Sequence, residues 1–104
     1  MKPIRHDPEA HRFEQEFEGP NGQPLLVFAD YARQGETLAI LHVEADPALR
    51  GGGAAGRFMQ SLVNEARDEG LKLRPVCGYA AAWFRRHPEA AGVLAHSRPL
   101  RNER

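Results

Sequence analysis

Arg50-Gly51-Gly52-Gly53-Ala54-Ala55-Gly56-Arg57-Phe58 is the stretch on which the fold turns. Its glycines form a turn that ends one kind of periodicity and begins another. From Ala54 to Glu69, Phe58, Leu62, Val63 and Ala66 recur at helical spacing, while Gln60, Asn64, Arg67 and Asp68 fall mostly elsewhere. Gly70 stands where a helix stop belongs. Strand-like runs flank this helix: Thr37 to Ala45 before it and Leu71 to Cys77 after it, despite Pro75. A strand, a crossing helix and a second strand make a β-α-β unit, with the strands parallel and the helix across one face.

Outward from that unit toward the N-terminus, Arg12-Phe13-Glu14-Gln15-Glu16-Phe17-Glu18 alternates apolar and charged residues, the period of a half-buried strand. Gly19-Pro20-Asn21-Gly22-Gln23 is turn chemistry. Pro24 to Ala32 is a second strand, and Arg33-Gln34-Gly35-Glu36 turns the chain into Thr37–Ala45. Three antiparallel strands in a meander are therefore expected, with residues 1–10 as a flexible tail. Toward the C-terminus, Ala80 to His87 is a second helix that Pro88 terminates or restarts. Residues 97–104 form a polar tail. The expected fold class is α/β, a small mixed, mostly antiparallel sheet with a β-α-β crossover and a C-terminal helix.

The 104 residues, 41% hydrophobic and 27% charged, suit one soluble domain over 1–104 and leave too little chain for a doubly wound dinucleotide fold. Apolar runs such as Leu25–Ala29 stay far below the roughly 18 residues of a membrane span. Met1–Asp7 has no apolar core, so no secretory signal is expected. The lone Cys77 forms no internal disulfide, and a reducing cytoplasm is the expected compartment. The zero net charge argues against a nucleic-acid partner. It hides an asymmetry: residues 1–46 carry 4 basic and 9 acidic side chains, a balance of −5, and residues 47–104 carry 10 and 5, a balance of +5. The split suits an anionic ligand on the second half and a cationic one on the first.

Glycines at a helix start let a ligand approach the backbone, and the unpaired N–H groups there attract phosphate. Arg50 and Arg57 flank the loop with guanidinium donors. Gly51-x-Gly53-x-x-Gly56 has dinucleotide-fingerprint spacing, but Val76 and Cys77 stand near where the ribose-binding acid belongs. Walker A spacing fails too, because Arg57-Phe58 replaces Lys-Ser/Thr. The four other histidines, His6, His11, His87 and His96, show no metal-ligand spacing with one another or with Cys77, so no metal is expected.

Arg50-x-x-Gly53-x-Ala55 matches the R/Q-x-x-G-x-G/A signature of the GNAT superfamily of acyl-CoA-dependent N-acetyltransferases. With Leu41-His42-Val43-Glu44, Glu69-Gly70-Leu71-Lys72, Val76-Cys77 and Ala81-Ala82-Trp83-Phe84-Arg85-Arg86-His87-Pro88, the chain resembles its small, single-domain YjdJ-like branch from about Phe13 to Val93. Gly78 departs from the proline usual after the cysteine. The resemblance implies acetyl-CoA as co-substrate, its pyrophosphate on Arg50, Arg57 and the amides of Gly51, Gly52, Gly53, Ala54, Ala55 and Gly56. It implies pantetheine between the splayed edges His42–Ala45 and Pro75–Cys77, an oxyanion donor at the Val43 amide, and Arg86 near the nucleotide end. Cys77 is a candidate nucleophile or acid, against a buried structural thiol. His42 is a candidate base or a partner for Cys77; Glu44, on the same face, is a base or an attractor of a cationic amine. Larger superfamily members wall the acceptor site with helices between their first two strands. Gly19–Gln23 offers only a turn, so the amine site should be open or completed by a partner.

The function implied is acetyl transfer from acetyl-CoA to a primary amine on a small molecule or protein, by a monomer or weak dimer without membrane attachment. A non-catalytic acyl-CoA-binding or protein-interaction module on the same scaffold is the alternative.

Overall fold

The computed structural model describes residues 2–95; the expected tail at 97–104 lies outside them. The elements run β1 (Arg5–Asp7), β2 (Arg12–Glu18), β3 (Pro24–Gln34), β4 (Thr37–Ala45), a 3-10 turn (Pro47–Leu49), α1 (Ala54–Glu69), β5 (Lys72–Pro75), α2 (Gly78–Arg86) and a second 3-10 turn (Pro88–Val93). The sheet order is β1-β2-β3-β4-β5, antiparallel except for the parallel β4–β5 pair that α1 connects. Mixed α/β architecture with a mostly antiparallel sheet is thus as the sequence implied.

The N-terminal tail is a correction. Arg5–Asp7 pairs with Arg12–Glu14 as an edge strand, making the meander four-stranded. No alternating run announces it. It is held by tertiary contacts: the His6 ring stacks on Phe13 at 4.1 Å and its Nε2 lies 2.6 Å from the Tyr31 hydroxyl. Arg5 also pairs with Glu14. The connection between the first two strands is consequently Pro8–His11, not Gly19–Gln23, and it too holds no helix.

β5 is shorter than the expected Leu71–Cys77. Its pairing with β4 stops at Ile40–Pro75, and the amides of Val76 and Cys77 both turn onto the Ile40 carbonyl at 3.0 and 3.1 Å. The second helix starts at Gly78, and Pro88 restarts the chain as a 3-10 turn.

α1 buries Phe58, Met59, Leu62, Val63 and Ala66 against the sheet residues Phe13, Phe17, Val27, Ala29, Tyr31, Leu38 and Ile40. Each large side chain in that stripe contributes about 1.5–3 kcal/mol. Gly70, at φ 72°, ends α1 with its N–H on the Ala66 and Arg67 carbonyls. α2 adds Ala80, Trp83 and Phe84 to the same core. The opposite sheet face, carrying Glu14, Glu16, Leu26, Phe28, Asp30, Ala39, His42 and Glu44, has no buried residue. Among the described residues no helix is long and apolar enough to cross a membrane.

Candidate functional site

β4 reaches the site through a bulge. Asp30 pairs with His42 but Tyr31 pairs with Ile40, so Leu41 is an extra residue without a partner on β3. Before the bulge Leu38 and Ile40 face the core; after it Val43 and Ala45 pack against the core, while His42 and Glu44 point to the open face. Regular alternation would have carried His42 and Glu44 inward. There the His42 Nε2 meets Glu44 Oε1 at 2.8 Å, with both side chains more than half exposed. The Phe28 ring packs against His42 at 6.1 Å, and Arg12 lies 3.9 Å over that ring while pairing with Asp30.

Beyond Ile40 the other edge of β4 has no strand beside it. The Asp46 amide bonds the Leu26 carbonyl at 3.0 Å, so by alternation Glu44 and His42 turn their backbone groups to β3. Val43 and Ala45 turn theirs to the unpaired edge. A row of N–H and C=O groups is left free beside the chain that leaves β5.

Asp46 caps the 3-10 turn through Ala48 at 2.9 Å and leads into the glycine loop. Gly51 and Gly53 adopt φ 82° and 79°, a region costly for side chains with a Cβ. Gly53 is the N-cap of α1 and has no side chain to accept a bond, so no cap covers the amides of Ala54, Ala55 and Gly56. The first helical bond is Arg57 N–H to the Gly53 carbonyl at 3.1 Å. Arg57 Nη1 donates to the Gly52 carbonyl at 2.9 Å and braces the loop from the helix side. Arg50 is exposed at the loop entrance. These uncapped amides and two guanidiniums suit a diphosphate.

Cys77 is a correction in detail. It is the N-cap of α2 rather than the end of a strand, and its Sγ accepts the Ala80 N–H at 3.4 Å. It is half-buried and packs against the core cluster. The hydrogen bond of His42 goes to Glu44, on the open face, while Cys77 packs against the core, so of the two alternatives for His42 the pairing with Cys77 does not form. Tyr79 was missed in the sequence. It stands 37% exposed beside Cys77, and burial, opposed by Arg86 and helped by Cys77, raises its phenol pKa. A Tyr two places after a helix-capping Cys is the only signal it leaves. Arg86 lies two turns along α2 on the Tyr79 stripe and is exposed. The neighbouring His87 is structural: it stacks on Trp83 at 3.9 Å, with Nδ1 2.8 Å from the Trp83 carbonyl. Among the described residues no group of three or more His, Cys, Asp or Glu is placed to hold a metal.

Residues 12–93 match the model of the GCN5-related N-acetyl-transferase family. Among solved structures, the solution structure of a GCN5-like protein from Staphylococcus aureus is similar at a TM-score of 0.64 and 18% identity, over 92% of this chain and 90% of that one. At that identity the likeness is one of fold. No curated protein matches the chain in sequence.

Proposed function

Because the chain belongs to the GCN5-related N-acetyltransferase family, we propose that it moves an acetyl group from acetyl-CoA to a primary amine. The observation that carries this reading is the unpaired edge of β4 at Val43–Ala45, which is joined through the 3-10 turn and the glycine loop to the uncapped N-terminus of α1. Together they offer a strand edge for an amide-bearing arm and a row of N–H groups for its diphosphate.

Bound acetyl-CoA supplies an activated thioester. Arg50, Arg57 and the amides from Gly51 to Gly56 hold the diphosphate, and Arg86 meets the phosphate of the nucleotide end. The Val43 N–H, free on its edge, donates to the carbonyl oxygen as negative charge builds there. His42 takes the proton of the incoming amine. Glu44 accepts the Nε2–H, which leaves Nδ1 as the basic nitrogen. Cys77 and Tyr79, on the other side of β4, deliver a proton to the departing thiolate. The separation of base and acid across β4 favours direct transfer, in which the amine nitrogen bonds the acetyl carbon as the carbon–sulfur bond breaks. The open face of the sheet gives the amine its approach, and the free thiol suits a reducing cytoplasm.

Release of free thiol from acetyl-CoA across a panel of amines tests the reading. Turnover should fall about tenfold or more in His42→Gln while CoA affinity stays unchanged. Intact mass after acetyl-CoA without acceptor should show no acetyl adduct; a stoichiometric adduct on Cys77 would instead make it the nucleophile. Tight CoA binding without turnover on any amine would overturn catalysis in favour of a non-catalytic binder.

A further inference from the structure

A cavity of about 630 Å³ lies away from the β4 edge, at the far side of the hairpin end of the sheet. It exists because β1 pairs only with Arg12–Glu14, so β2 has no strand beside it from Gln15 onward. Phe17 and Pro24 form its apolar part, and Lys2, Arg57, Glu16 and Glu18 its charged part. We infer that this cavity binds a small zwitterion, a free amino acid or a di- or tripeptide, with its carboxylate on Arg57 and Lys2 and its ammonium on Glu16 and Glu18.

Charge decides the class. An anion alone would press against two carboxylates, and a cation alone against a guanidinium and an ammonium; a guest carrying both signs leaves none of the four opposed. The groups are free to turn to it. Lys2 and Glu16 stand 3.7 Å apart with side chains 71% and 39% exposed, a weak pair that a ligand can replace. Arg57 gives one N–H to Gly52 and keeps others of its five donors for the cavity it lines. The size agrees, since sites for small ligands span roughly 300–1,000 Å³. The backbone adds a peptide-like partner. The Gly19 N–H bonds the Gln23 carbonyl at 2.7 Å, so by alternation the odd-numbered residues of β2 face β3. Glu16 and Glu18 therefore turn their N–H and C=O groups to the unpaired edge, where a ligand amide can bond them.

The cavity shares Arg57 with the proposed diphosphate site, so its test contains no acetyl-CoA and reads zwitterion binding alone. The full chain, labelled with nitrogen-15, is titrated with L-leucine and with the dipeptide Ala-Leu, whose relative affinities separate amino acid from peptide. Leucinamide, positive only, and N-acetyl-leucine, negative only, are the blocked probes. At least one zwitterion should give saturable shifts at Phe17, Gly22 and the Arg57 side chain, with both blocked probes about tenfold weaker. Glu18→Gln, a change at an exposed strand end, should weaken the zwitterion about fivefold with an otherwise unchanged spectrum. Blocked probes that bind as well as the zwitterions, shifts that map elsewhere, or no saturable shift with either zwitterion would overturn the inference.

Discussion

Gly52 and Gly53 are neighbours in one loop but answer substitution differently. Gly53 sits at φ 79°, and a Cβ there would meet Arg57 Nη1 at 3.3 Å, so any side chain strains the backbone and disturbs the brace. Gly52 lies outside the left-handed region, and its Cβ would meet only the Leu49 carbonyl, at an ordinary 3.6 Å. Gly52→Asp therefore isolates charge from strain. It should place a carboxylate where the diphosphate is proposed to sit and weaken CoA about tenfold or more, near 1.4 kcal/mol, with the melting temperature nearly unchanged. Isothermal titration beside a thermal melt checks this. Undiminished affinity would remove the loop from the CoA site.

At the scale of the element, α1 carries one glycine it does not need and ends on one it does. Gly56 is helical, and a Cβ would come no closer than 3.8 Å, to the Trp83 indole nitrogen. Gly56→Ala removes a glycine from the first turn of α1 and should stabilise the protein by about 0.5 kcal/mol, with the amide at that position still free at the helix start. Gly70 is at φ 72° with open space around its would-be Cβ. Gly70→Ala therefore costs the left-handed conformation alone, about 1 kcal/mol. Denaturant melts of the two variants should move in opposite directions. Equal destabilisation would mean that α1 and α2 pack more tightly at Gly56 than the distance allows.

For the whole molecule, the strand that closes the sheet is pinned by a titratable ring. Burial is the chief cause that lowers the pKa of His6 below 6.5; Arg33 also lowers it, while Glu65, Asp7 and Glu69 oppose it. The unfolded chain then takes up its proton first as pH falls. Stability is full above about pH 6.5, declines as pH drops from there through the depressed folded-state pKa, and levels off below it. The protonated ring, a donor at both nitrogens, would also compete with the Tyr31 hydroxyl for orientation. Chemical denaturation between pH 7.5 and about 5 should show this decline, and His6→Gln should flatten it. An unchanged slope in the variant would assign the decline to other groups.

Local sequence determined much of this protein. Helical spacing from Phe58 to Ala66, stopped by Gly70, yields α1 with its observed bounds, because amphipathic period and a left-handed stop are written in neighbouring residues. Alternation in Arg12–Glu18 and two turns yield the central meander, and the glycine loop announces its uncapped helix start. Three things were decided only in the tertiary structure. Arg5–Asp7 is too short to carry a period and becomes a strand because His6 finds Phe13 and Tyr31 across the sheet. The extra residue at Leu41 leaves no mark in composition, yet it turns His42 and Glu44 out of the core and joins them. The separation of Cys77 from His42 follows, because a bulge and a helix cap set the two side chains toward opposite sides of one strand. Spacing along a chain orders side chains within an element, but their facing depends on the register that neighbouring strands impose.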